Sequence, residues 1–291
     1  MKVMRLGVLS GFAFILVYHI AKALEVGPPP EDRGTREAMF RFAYVASVVQ
    51  SGIEMYAIDR GEYPRSLKEL CEGPYLPVSC DTLKNPYTGE PLSGSNKPGD
   101  ITFEGGGEKI TLTLHIRPGL DFVSLLDNPR RFLSCALPDT GEVLASCPAL
   151  EEYRGLDMAS KRAYAVGRYL LRQVSFFHSA EQRAYYKDTG QEVQPPNSLE
   201  EFRAKIRSYR DEWVNAGTVH SRKNGAGFAM GGYWVEWENL LNDFGKGPAR
   251  EVNTPSPGNF RYYKDPDPTS KQWYIEAYGT GGKVVFREPI Y

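Results

Sequence analysis

The stretch AYVASVVQSGIEMYAIDRGEYPRSLKELCEGPYLPVSCDTLKNPYTG, from Ala43 to Gly89, decides how the chain is read. Around its start, Phe42, Val45, Val49, Ile53 and Tyr56 fall at intervals of three or four residues. That is the spacing of one buried stripe on an α-helix whose other face stays wet. The period stops at Asp59-Arg60-Gly61, and Gly61 can take the positive φ that closes a helix because no Cβ clashes there. Tyr63-Pro64 then imposes an extended step, since the proline ring crowds the residue before it. Ser66 is placed to N-cap a short second helix, Leu67 to Leu70, with Glu69 reaching back to complete a capping box.

This order of signals (helix, D-x-G-x-Y-P, S-L-x-x-L, a Pro-rich loop, then Asn85-Pro86-Tyr87-Thr88-Gly89) resembles the globular part of type IV pilin-like proteins. The likeness is greatest to the major pseudopilin of type II secretion. In that family the pattern marks the end of the long first helix, the short segment after it and the approach to a small antiparallel sheet. The resemblance implies an α+β fold with a long N-terminal helix packed on that sheet. It also implies a non-catalytic, exported bacterial envelope protein that acts through protein–protein contacts in secretion or surface assembly. Major pseudopilins bind calcium through carboxylates and carbonyls of a sheet loop. That draws attention to Asp265 and Asp267, and less to Glu104, Glu108 and Asp121, because hard oxygen ligands are what calcium takes. Solvated surface acids are the plainer reading of all five.

At 291 residues the chain has the length of two ordinary domains, placed at 35–150 and 151–291. A formal net charge of −1 provides no broad field for nucleic acid. Eighteen tyrosines with frequent Gly and Pro suit short strands and irregular connections better than a helical bundle. At the amino end, Lys2 and Arg5 precede an apolar run from Leu6 to Ile20 and then Ala21-Lys22-Ala23. Residues 1–24 therefore read as a secretory signal peptide cut after Ala23, or as an uncleaved inner-membrane anchor over Leu6 to Leu24. Either way the rest is exported to the periplasm or beyond. A degenerate echo of the prepilin cleavage motif lies at Gly11-Phe12, but Leu16 stands where that family has an acid. Residues 25–34, EVGPPPEDRG, form a stiff exposed linker that departs from the unbroken pilin helix.

Four cysteines permit three pairings. The two local ones, Cys71 with Cys80 and Cys135 with Cys147, are favoured because each closes a short loop in an exported chain. Buried thiols are the alternative, while the tight paired spacing of a zinc site is missing.

An internal repeat organises the remainder. After a hairpin at 100–116 and a strand over Phe122 to Leu126, a second long helix is expected from Leu156 to Asp188. Tyr56, Asp59 and Gly61 recur as Tyr185, Asp188 and Gly190, and Ser66-Leu67 with Glu69-Leu70 returns as Ser198-Leu199 with Glu201-Phe202. Strands are expected at Phe260 to Tyr263, Trp273 to Tyr278 and Lys283 to Phe286. The expectation is two tandem pilin-like units, the second carrying an aromatic and Gly-rich insertion at about 212–250.

Few residues suggest chemistry. Asp265-Pro266-Asp267-Pro268-Thr269 matches the D-x-D-x-T string of aspartyl phosphatases, yet the preceding Arg261-Tyr262-Tyr263-Lys264 is no buried parallel strand, and the prolines favour a turn. His115, His178 and the loop group His220-Ser221-Arg222-Lys223 show no metal or triad spacing, so no catalytic residue and no cofactor is assigned. Trp213, Phe228, Tyr233, Trp234 and Trp237 form the aromatic group best suited to recognition, since large rings give contact area at low entropic cost. They support an alternative, an exported peptide- or glycan-binding protein, against the plainer reading that they fill the second core.

Overall fold

The computed structural model describes residues 32–129, 148–191, 194–217, 237–245 and 247–290. Among them are five α-helices and two three-stranded antiparallel sheets, an α+β arrangement. Helix α1 spans Arg33–Arg60 and α2 spans Leu67–Cys71. Strands β1 (Asp100–Gly106), β2 (Lys109–Arg117) and β3 (Leu120–Asp127) follow as a meander in the order β1-β2-β3. Then come α3 (Pro148–Arg154), α4 (Met158–Thr189) and α5 (Leu199–Ala216). A second meander closes the chain: β4 (Phe260–Lys264), β5 (Trp273–Tyr278) and β6 (Val284–Pro289).

The punctuation read from the sequence sits where it was expected. Gly61 closes α1 at φ 72°, donating its N–H to the Ala57 carbonyl, and Gly190 follows α4 at φ 70°. Ser66 accepts from the Glu69 amide while Glu69 accepts from the Arg65 amide, and Ser198, Glu201 and Asn197 repeat both bonds at the head of α5. Further on, Leu92 donates its amide to the Leu83 carbonyl as Ala249 does to that of Leu240. Asn85 and Asn242 each fold their side-chain oxygen back onto the amide two residues later. Gly99 and Gly258 then enter the two sheets with positive φ, and a Cβ there would lie 2.5 and 1.8 Å from those asparagine oxygens, so only glycine fits.

Two expectations need correction. The wet face predicted for α1 is not there. Arg36, Ser47, Gln50, Ser51 and Glu54 are buried along with the apolar stripe, because α3, α4 and α5 pack on the side away from β2. The short helix expected after Ser198 runs instead for 18 residues, since Leu199, Phe202, Ile206 and Trp213 extend a helical stripe into the segment read as an insertion.

Each long helix lies on its own sheet, α1 against β2 and α4 against β5 and β6. Gly167 lets α4 come close, as a Cβ there would sit 2.7 Å from the Phe286 ring and 2.8 Å from Ala277. The apolar core is nevertheless continuous from Met39 and Phe42 through Tyr169 and Phe177 to Phe260 and Ile275. Charges fix how the halves meet. Lys161 bonds Asp59 at 2.8 Å, and one turn or more up α4 the guanidinium groups of Arg168 and Arg172 reach Glu54, so the two helices run antiparallel. Glu54 is 2% exposed, and Gln50 donates to it as well, which leaves the buried carboxylate well compensated.

Candidate functional site

Among the described residues β1 is an edge strand, paired only with β2. The closing pair of its hairpin, Gly106 with Lys109, fixes which backbone groups face inward. Even-numbered residues face β2, and Ile101, Phe103 and Gly105 face outward. Gly107, next in the outward series, exchanges both backbone bonds with Tyr63 at 2.7 and 3.0 Å. The Ile101 amide is taken by the Asp100 carboxylate at 2.8 Å. Between these two ends the outward amides and carbonyls of Phe103 and Gly105 have no partner among the described residues.

This open edge lies in a cleft of about 560 Å³. Its floor is apolar, made by Leu67, Leu83, Leu92, Ile101 and Phe103 with the Cys71–Cys80 disulfide, which joins the end of α2 to the next turn. Arg65 and Lys68 stand at its rim beside α2, and Asp81 stands on the turn that follows the disulfide. Arg65 is exposed, lies against Gly106 at the end of β1, and makes no ion pair among the described residues. Among the described residues Lys68 pairs only with exposed Glu72, at 3.6 Å.

Asp100 keeps the cleft open at its other end. Its buried carboxylate accepts the amides of Ser93, Gly94 and Ser95 at 3.1–3.2 Å and both serine hydroxyls at 2.7 Å. Burial alone would raise its pKa. The hydrogen bonds from Ser93, Ser95 and Ile101 outweigh that cost and hold the carboxyl below its ordinary value.

On the opposite face of the same sheet, His115 bridges the strands. Its Nε2 is 3.3 Å from the Thr102 hydroxyl and its Nδ1 is 3.1 Å from Asp121. The order of hydroxyl, imidazole and carboxylate is that of a nucleophilic triad. Thr102 and His115 are buried and none of the three lines the cleft, so the set acts as a clamp across β1, β2 and β3.

Other residues singled out in the sequence fall as follows. Trp213 is 2% exposed and packed in the core, so it presents no recognition surface. Trp237 begins a 3-10 turn over Trp237–Asn239. Phe228, Tyr233, Trp234, the His220 group, Cys135, Cys147 and the leader over 1–24 lie outside the described residues. The D-x-D-x-T string is the turn between β4 and β5: Asp265 accepts from the Asp267 amide, and Asp267 accepts from the amide and hydroxyl of Thr269. Among the described residues no third carboxylate or imidazole joins Asp265 and Asp267. No described helix is long and apolar enough to cross a membrane.

The cleft itself was not foreseen. Its openness rests on where three amides of Ser93–Ser95 turn, which composition and periodicity do not encode; only the acid placed just after Gly99 hinted at it. Comparison with protein-family models, curated proteins and solved structures finds no match for the chain.

Proposed function

We propose that this protein is a non-catalytic, exported envelope protein of the pseudopilin or type IV pilin-like class, built from two tandem units and acting through contacts with other secretion or assembly proteins. What supports this is one observation: the same sequence of devices occurs twice. A long helix ends on a left-handed glycine, a serine–glutamate capping box follows, an asparagine turn leads to a second left-handed glycine, and a three-stranded meander completes each half. The Cys71–Cys80 disulfide fits an oxidising compartment. The proline-rich linker ahead of α1 favours an accessory module over a filament subunit, since a subunit packs an unbroken helix into the fibre.

Mass spectrometry of the mature amino terminus, combined with cell fractionation, tests the reading. A chain starting at Leu24 in the periplasm, or an intact Met1 held in the inner membrane, is expected. An intact chain in the cytoplasm with reduced cysteines would remove the proposal.

A further inference from the structure

The second half supplies its own comparison for the open edge of the first. Counting two residues on from Gly99 and Gly258, Ile101 corresponds to Phe260 and Phe103 to Tyr262. At β4 the outward groups of Phe260 are covered. Phe260 donates to the Arg250 carbonyl and accepts from the Val252 amide, so 250–252 lies alongside β4 in a single parallel bridge. The next outward amide, that of Tyr262, faces the Glu251 carboxyl group, whose pKa burial raises and that amide partly holds down. The segment in the corresponding place of the first half is Ser93–Ser95, which gives its amides to Asp100 instead. Asn259, in the place of Asp100, takes only one of the equivalent amides, that of Arg250, at 2.9 Å.

From this we infer that the cleft beside β1 is a docking site for an extended segment of a partner protein, which adds to the first sheet as a strand parallel to β1. Backbone pairing to Phe103 and Gly105 supplies affinity, and alternate side chains enter the apolar floor of Leu67, Leu83, Leu92 and Phe103. A parallel strand reaches Gly106 and Arg65 with its carboxyl-terminal end. The Arg65 guanidinium, without an ion pair among the described residues, calls for an acidic residue at that end of the partner segment. The inference gives a chemistry to the protein contacts proposed above and rests on that reading only in taking the partner to be a protein.

The test has two arms on the full chain. Hydrogen exchange by NMR is measured first without ligand: the amides of Phe103 and Gly105 exchange freely, while those of Thr102, Glu104 and Phe260 are protected. A displayed library of random-sequence peptides is then selected against the immobilised protein. Enriched peptides are expected to alternate apolar residues and end in an acid, to bring protection to Phe103 and Gly105, and to lose binding when alternate backbone amides are N-methylated. Arg65→Glu, an exposed substitution that leaves the core intact, is expected to weaken them by about tenfold or more, the worth of one charged hydrogen bond. The inference is overturned if Phe103 and Gly105 are already protected in the free protein. It is equally overturned if selection yields no binders, or binders that leave those two amides exchanging and survive N-methylation. Export measurements decide the broader reading separately, so the two can fail independently.

Discussion

The edges of β1 and β4 begin from one local plan and end in opposite states. Both follow an asparagine turn and a left-handed glycine, and both belong to three-stranded meanders. At β4 the preceding segment pairs with the strand; at β1 it is drawn away onto a carboxylate. The difference comes down to a charged acceptor. An ionised Asp100 offers two oxygens that accept four amides and two hydroxyls, whereas Asn259 offers one oxygen and uses its amide nitrogen to donate to Ser256. Edge strands left open are a hazard in most folds, so an edge held open by a buried acid is a feature with a use.

The strongest way to break the comparison is to ask whether the halves are separate at all. Glu54→Ala removes the buried acceptor of Arg168 and Arg172 and leaves their charges facing the α1–α4 contact. Loss of a buried partner of this kind costs roughly 3–5 kcal/mol. All four tryptophans lie in the second half, at 213, 234, 237 and 273. Urea unfolding followed by tryptophan fluorescence therefore reports that half, and a change made in the first should shift its midpoint in one cooperative transition. A fluorescence midpoint that ignores Glu54→Ala would mean two independent cores and contradict the continuous packing.

The next test sharpens the contrast between the capped helices. Helix α2 has five residues and is joined to the following turn by the Cys71–Cys80 disulfide, while α5 has 18 and is held by Leu199, Phe202, Ile206, Trp213 and Val214. Replacing both cysteines by serine should destabilise the chain by about 2–3 kcal/mol, the chain-entropy value for so short a loop. Hydrogen exchange should rise around Leu67–Cys71 and along the cleft floor, with α5 unchanged. Equal loosening in α5 would show that the disulfide serves the whole core.

Much of this architecture was legible because its signals are local. Gly61, Ser66 with Glu69, and the repeat at Gly190 and Ser198 with Glu201 each declare a backbone conformation within four residues, and the alternating strands declare their own period. What could not be read depends on residues far apart. The burial of Gln50 and Glu54 is set by α4, more than 100 positions later, and a polar face looks wet until a partner helix covers it. Trp213 groups with the recognition rings in the sequence because it opens the aromatic segment 212–250, but helical spacing from Phe202 and Ile206 points it into the core. The open edge was hidden for a different reason. Aspartate and asparagine are near-isosteric, and only three-dimensional acceptor geometry shows that one gathers four backbone amides where the other takes one.

That substitution is itself the third test. Asp100→Asn should cost about 1–3 kcal/mol through amides left without their acceptor. The freed Ser93–Ser95 segment is then expected to lie along β1 as 250–252 lies along β4, with the Ile101 amide passing from the carboxylate to the Ser93 carbonyl and the Ile101 carbonyl accepting from the Ser95 amide, a change read from backbone hydrogen-bond couplings by NMR. Acid should act in the same direction. A carboxyl held below its ordinary value of 3.8 in the folded state contributes stability above that pH, and the contribution is lost as pH falls through the folded value. Wild type should lose stability below about pH 4 more steeply than Asp100→Asn, whose amide does not titrate. Identical acid limbs would place the clasp elsewhere.

The smallest effect separates two capping boxes that look alike. Ser66 accepts from the Glu69 amide at 3.4 Å and Ser198 from the Glu201 amide at 3.1 Å. An N-cap serine replaced by alanine costs about 0.5–2 kcal/mol, and context decides where in that range each falls. At Ser66 the helix has one turn and the disulfide already holds its far end, so freeing its first amide should cost near the bottom of the range. At Ser198 the first turn seats Leu199 and Phe202, both 0% exposed, and fraying there loosens core packing as well as a hydrogen bond. Ser198→Ala should therefore cost more, near the top of the range. In the Cys71→Ser, Cys80→Ser background the cost of Ser66→Ala should rise toward it, because the staple no longer masks the cap. A Ser66→Ala cost that is unchanged by removing the disulfide would mean that the two helices are held in the same way after all.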